Sequence, residues 1–209
     1  MSTHLKKLAL AGLLTLSVAA NAAITLSPNN SGSWNINDSA ASGYSSSYYT
    51  GNPNSAVLMN YRTVVKFDLS SITAGVSTAT FTMHENWENP TLWVTHYVVL
   101  EAINQNISGP VSFTDATTTA VTRIGGVYGF NIGNNSIDVT SAVQAALSNN
   151  FISFRIVETD VSGTYRTFAN TYTDGLMLDT PSLNLTVPEP ASLALLGLGA
   201  VALLRRRRN

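Results

Sequence analysis

Residues 61–72 read YRTVVKFDLSSI, and their alternation decides the fold. Val65, Phe67 and Leu69 share one face of an extended chain while Val64, Lys66 and Asp68 share the other, which predicts a half-buried β-strand. TATFTMHE (78–85) repeats the pattern, with Ala79, Phe81 and Met83 alternating with Thr78, Thr80 and Thr82. The intervening SSITAGVS carries turn residues, so the two runs are expected to be antiparallel neighbours.

Further along, WVTHYVVLEAI (93–103) is more uniformly apolar, as a central strand covered on both faces would be. FISFRIVE (151–158) points Ile152, Phe154 and Ile156 inward and Ser153 and Arg155 outward, and LNLTV (183–187) lines up Leu183, Leu185 and Val187. Residues 27–56, rich in Ser, Asn, Gly and Tyr, read as long loops with one early strand around Trp34 to Ile36. The helix of the body is IDVTSAVQAALSNN (137–150). Thr140 or Ser141 can cap it, Ser141 and Gln144 have capping-box spacing, Val143 and Leu147 share a face, and Asn149 and Asn150 terminate it. The expected fold is all-β: an antiparallel, jelly-roll-like β-sandwich with one short helix.

Both ends read as appendages. Lys6 and Lys7 precede the apolar run Leu8 to Ala20, and Ala20 and Ala22 are the small residues that fix a signal-peptide cleavage site, so residues 1–22 are expected to be a leader cut after Ala22. Residues 23–187 then form the sandwich domain. Residues 188–209 open with Pro188, Glu189 and Pro190, run through the apolar stretch Ala191 to Leu204, and end in Arg205, Arg206, Arg207, Arg208 and Asn209. Those fourteen apolar residues make a helix of about 21 Å against a hydrocarbon core of about 30 Å. Arginine stems can lengthen so short a span by snorkelling from the cytoplasmic side, giving a C-terminal stop-transfer segment. A lasting membrane anchor is the alternative reading of the same residues.

Six of the eleven basic residues and one of the twelve acids lie in these ends, which leaves five against eleven in the body. A body so acidic is a poor partner for nucleic acid or anionic lipid. Without any cysteine the chain has no disulfide framework and no thiol nucleophile, so the core alone must hold an exported domain together.

The chemically richest stretch is HENWENPTLWVTH (84–96). It lacks the H-E-x-x-H zinc spacing, no G-x-S-x-G frames a serine nucleophile, and His96 sits in an apolar strand as a packed residue would. Glu85 and Glu88 could act as a glycosidase acid and base only at a fixed spatial separation. A secreted polysaccharide hydrolase or lyase using them or His84 is therefore the alternative, and a surface protein without glycan affinity is another. Loop aromatics are the better lead, because flat amphipathic rings stack on sugars. Trp34 and Tyr44 belong among them, and Tyr48, Tyr49, Trp87 and Trp93 are the expected glycan contacts. No catalytic residue, metal site or cofactor is expected. NINDS (35–39) offers Asn35, Asn37 and Asp38 to a structural calcium, though a turn rich in Asn and Asp accounts for them as well. Asp68 and Asp138 are expected to fix the fold by bonding a turn amide, or to pair with Arg62 or Lys66.

Two resemblances follow from these residues. The strand with Arg62, Phe67, Asp68, Leu69 and Ser70, and the segment Asp138, Val139 and Thr140 before a short helix, resemble DNRLRE-type domains related to family-96 carbohydrate-binding modules. That resemblance implies a jelly-roll sandwich, a binding or structural role and no catalytic set; VSFTDATTTAV (111–121) stands where family members often carry a tryptophan. The tail resembles the PEP-CTERM sorting signal, with Pro188, Glu189, Pro190 and Arg205 to Arg208 in that signal's order. This implies an exosortase-type membrane protease and the Sec export machinery as partners, alongside a polysaccharide, with no nucleic acid. The body would sit in the periplasm under a transient inner-membrane insertion, then at the cell surface or in the extracellular matrix.

Overall fold

A computed structural model describes residues 21–35, 44–45, 48–52, 61–87, 97–104, 109–128, 133–159 and 174–189. In chain order the elements are β1 (Asn21–Leu26), β2 (Asn30–Asn35), β3 (Tyr44–Ser45), β4 (Tyr48–Asn52), β5 (Tyr61–Asp68), β6 (Thr78–Trp87) and β7 (Tyr97–Ile103). The helix α1 (Phe113–Thr117), strands β8 (Val121–Tyr128) and β9 (Gly133–Asp138), helix α2 (Thr140–Ala146), and strands β10 (Phe151–Thr159), β11 (Asp174–Leu178) and β12 (Ser182–Pro188) follow. The predicted apolar helix at 191–204 lies outside the described residues. Among those described, no helix is long and apolar enough to cross a membrane.

The strands pair antiparallel throughout and resolve into two sheets. One runs β1-β12-β6-β9 and the other β2-β5-β10-β7-β8, and β4 and β11 bridge them at one corner. Alternation puts Phe81 and Met83 of the first sheet, and Phe67, Phe154 and Leu100 of the second, into one buried layer. Phe67, Phe81 and Phe154 meet edge to face with centroids 5.2–6.2 Å apart, a geometry in which each ring pair adds about 1 kcal/mol beyond its burial. Leu183, Leu185 and Val187 complete this layer, as their alternation predicts.

Three expectations are corrected. First, β5 and β6 are not hydrogen-bonded neighbours: β5 pairs with β2 and β10, and β6 with β12 and β9, because the 69–77 turn crosses from one sheet to the other. Local turn chemistry could not distinguish a hairpin from a crossover. Second, residues 27–56 contain more than one early strand; β2, β3 and β4 all lie there, and Trp34 is buried with 6% exposure. Third, the second sheet is covered on both sides. The expected outward face of β5 and β10 buries Val64, Lys66, Ser153 and Arg155, while Val98 to Ile103 of β7 are buried throughout, as expected for a central strand.

The cover is the segment 109–121, which packs Val111 and, from α1, Phe113 and Ala116 against Trp34, Val64 and Ile103. Asp115 starts the helix by accepting hydrogen bonds from the Ser112 amide (2.7 Å) and hydroxyl (2.9 Å). Cations from the sheet then bind the segment's carbonyls. Lys66 Nζ donates to Gly109 O (2.9 Å), Arg62 Nη1 to Ala116 O (3.2 Å), and Arg155 Nη1 to Ala116 O (3.0 Å) and Thr118 O (2.7 Å).

Arg155 itself is 1% exposed and donates through Nε (2.8 Å) and Nη2 (2.6 Å) to Glu101 Oε2, a carboxylate equally buried on the adjacent β7. Removing Arg155 leaves the buried Glu101 carboxylate with the more distant, half-exposed Arg123, whose Nη2 lies 3.6 Å from Oε1. Arg155→Ala is expected to cost about 3–5 kcal/mol in denaturant unfolding, while Arg155→Met combined with Glu101→Leu should cost clearly less. Equal losses in the two variants would show that the ion pair itself, not its disruption, supplies the stability.

Candidate functional site

The two sequence motifs in the body converge on α2. Asp68 ends β5 by accepting the Ser70 amide at 2.8 Å, and Asp138 ends β9 by accepting the Thr140 amide (2.8 Å) and hydroxyl (2.6 Å). Both acids are therefore strand terminators, as one of the sequence expectations had it; Arg62 and Lys66 donate to carbonyls of the α1 segment, and the Lys66 charge also acts on Asp68. The Ser141–Gln144 capping box does not form. Val139 is the N-cap residue, and Gln144 Nε2 donates to Val76 O (2.7 Å), docking α2 on the 69–77 crossover. Asn150 closes the following turn at φ 62°, and its carbonyl accepts the Leu69 amide.

Beside α2 lies a cleft of about 670 Å³ between the ends of β7, β8 and β10. Asn104, Thr122, Arg123, Asp138, Asn149 and Ser153 give it polar walls, and Ile124 and Phe151 contribute apolar ones. Ile124 reaches it at a bulge where β8 carries one residue more than β7 between Arg123 and Gly125. Ser153 Oγ is buried and has no hydrogen-bond partner among the described residues. Among the described lining residues Asp138 is the one carboxylate and there is no histidine, and together these residues present hydrogen-bonding groups to the cleft.

The histidine and acid stretch is held structurally where it is described. His84 Nδ1 stands 2.8 Å from Asp179 Oδ2, and the Asp179 amide donates to the His84 carbonyl at 2.8 Å. Glu85 pairs in register with Leu178 of β11 and Gly133 of β9. Glu88, Trp93, Asn37 and Asp38 lie outside the described residues.

The aromatic candidates are ordered by register. Tyr49 of β4 and Trp87 of β6 both stand opposite Met177 of β11, so the three form one transverse row. Two strand spacings separate the backbones of the outer pair by roughly 10 Å. Tyr48 stands in the next row, opposite Leu178.

The chain leaves the fold through β12. Its residues Ser182 to Thr186 pair with β6, and Leu183 to Pro188 pair with β1, in the register Ala22↔Val187 and Asn21↔Pro188. Glu189 follows at once, whereas Pro190 and Arg205 to Arg208, like Ala20, lie outside the described residues.

Residues 186–208 match the model of the PEP-CTERM protein-sorting motif. Such a motif supports an exported protein that is anchored transiently at the membrane and processed by an exosortase, a membrane enzyme. No curated protein matches the chain by sequence.

The two terminating aspartates predict an acid response. Hydrogen bonds from the Ser70 hydroxyl and amide hold the Asp68 carboxyl below its ordinary range, and those from the Thr140 hydroxyl and amide do the same for Asp138. A folded pKa below the unfolded one gives stability that is full above the unfolded value and lost as pH falls through the folded value. In Asp68→Asn and Asp138→Asn the melting temperature should therefore fall less steeply between about pH 4 and pH 2 than in the parent. Parallel acid limbs would remove both aspartates from the cause.

Proposed function

We propose that the protein is a non-catalytic cell-surface or matrix component that binds exopolysaccharide through its folded body after its tail has been processed. The sorting motif at 186–208 supports export and exosortase handling. What supports glycan contact is the row Tyr49, Met177 and Trp87. Two aromatic residues roughly 10 Å apart along one row suit stacking on sugar rings of one extended chain. On this reading Tyr48 and Trp93 are secondary contacts, and the body needs neither metal nor cofactor.

The reading also takes the body as a jelly roll. The pairs β1 with β12, β5 with β10, β6 with β9, and β7 with β8 support it. They nest as one long hairpin does when it is wrapped into two facing sheets. The resemblance to DNRLRE-type domains points the same way. A hydrolase or lyase reading draws less support from the cleft, where Asp138 is the one carboxylate among the described lining residues.

Titrating the mature body with a panel of acidic and neutral exopolysaccharides by affinity electrophoresis tests this. Tyr49→Ala and Trp87→Ala should each weaken binding by about tenfold or less, the range of one aromatic stacking contact, with melting temperature unchanged. A loss confined to Asn104→Ala and Arg123→Ala would move the site to the cleft. Release of new reducing ends by the parent would replace binding with catalysis.

A further inference from the structure

We propose that the residues lost with the leader are those that clasp the start of the sorting signal, so that leader removal makes the tail accessible for processing. The inference rests on the reading of 1–22 as a leader and of the tail as an exosortase signal.

The ladder geometry carries it. Backbone groups of an antiparallel strand turn to alternate neighbours, residue by residue. The Ala79 carbonyl accepts the Val139 amide and the Ala79 amide donates to Thr140 Oγ1, so Ala79 faces β9 and α2, and Thr78 faces β12. Thr186, opposite Thr78, therefore turns its amide and carbonyl to β6, and its carbonyl also takes the Ser77 amide at 2.8 Å. Val187 must then turn both groups to β1, where its partner is Ala22. Pro188 falls at a position where no hydrogen bond is exchanged, opposite Asn21, which suits a residue without an amide proton.

Beyond Thr186 the pairing with β6 has ended. Ala22 is thus the strand partner that holds Val187, and Val187 lies within the matched sorting segment. Hydrolysis of the Ala22–Ala23 bond takes up one water, leaves a carboxylate on Ala22 and an ammonium on Ala23, and removes that partner. The last exchanged pair becomes Ile24 with Leu185.

Reach changes accordingly. With Ala22 in place the paired strand reaches Pro188, two residues before the apolar segment, about 7 Å of extended chain. Without it the Val187 backbone has lost its strand partner, and the length of chain from the last held residue to the apolar segment grows to three residues, about 10 Å. A protease takes its substrate as an added extended strand, which requires backbone groups not already paired. Val187 keeps an apolar seat in the core at 7% exposure, so the release is a local fraying and not an unfolding of β12. A leader peptidase also needs its substrate extended, so the clasp forms in chains that folded before their leader was cut. Such chains would be held back from sorting.

Two substitutions at one position test this in the full-length chain co-expressed with an exosortase. Neither Ala22→Leu nor Ala22→Pro leaves the small residue that cleavage requires, so both keep residue 22 on the body. Leucine preserves the ladder, whereas proline removes the amide that donates to Val187. Release of the arginine-bearing tail should slow by about tenfold in Ala22→Leu, the effect of two exchanged backbone hydrogen bonds, and recover part of the parental rate in Ala22→Pro, which removes one of the two. Parental release from Ala22→Leu, equal slowing in both variants, or loss of residue 22 from Ala22→Leu overturns the proposal. If the parent itself keeps its tail, the sorting reading fails instead. Exchange of the Val187 amide then decides the clasp: slow in Ala22→Leu and fast in the parent whose leader has been cut supports it, and equal exchange overturns it.

Discussion

The structure depends on a buried guanidinium. Arg155 sits in β10, the strand flanked by β5 and β7 in the second sheet, and its side chain points away from the aromatic core. A charge in that place must be paired and its donors filled. Glu101 supplies the counter-charge from β7, and the carbonyls of Ala116 and Thr118 fill the remaining fork. Those carbonyls are free to accept because α1 is one turn long, so its C-terminal oxygens have no intrahelical donors. The short helix and the buried arginine thus satisfy each other. Together they turn a two-layer sandwich into one with a third, partial layer over β5, β10 and β7.

That layer explains what the sequence conveyed and what it hid. Alternation in 61–69, 78–83, 152–156 and 183–187 correctly assigned the inward residues, because the period of a strand is local. Burial of the opposite face was not local. Lys66 and Arg155 look solvated in sequence, and only the distant 109–121 segment makes them interior. The same limit governed topology: the 69–77 stretch has turn residues whether it joins neighbours or crosses between sheets. Capping at α2 failed for a related reason, since Gln144 found a better acceptor in the Val76 carbonyl, far away in sequence. α1 was signalled by Ser112 and Asp115 at capping-box spacing, but five residues are too few for an amphipathic pattern to register.

The candidate sites were legible to different degrees. Pro188, Glu189 and the terminal arginines are contiguous and position-specific, and the match over 186–208 needs no fold to be recognised. Tyr49 and Trp87 are separated by 38 positions in the numbering and meet across Met177 through β11, a strand whose register no local pattern announces. The cleft beside α2 was illegible for the same reason, being built from residues of β7, β8, β9, α2 and β10. Asp68 and Asp138 were readable because each bonds a residue two places on, the shortest range at which a side chain can act on its own backbone.

A boundary drawn from sequence between body and tail falls between Val187 and Pro188, yet β12 runs through it. Thr186, Val187 and Pro188 belong at once to a sheet and to the matched sorting segment. One strand therefore has to satisfy two demands: Val187 buries its side chain as the last residue of the apolar row, and its backbone leads into a signal that a membrane enzyme must grip. Proline at 188 reconciles them. It cannot donate to a ladder, so it ends pairing at the one register position where a missing amide costs nothing. Directly before Glu189, it also presents the signal from the edge of a rigid support. The last residues of the body and the first of the matched sorting segment thus share one strand.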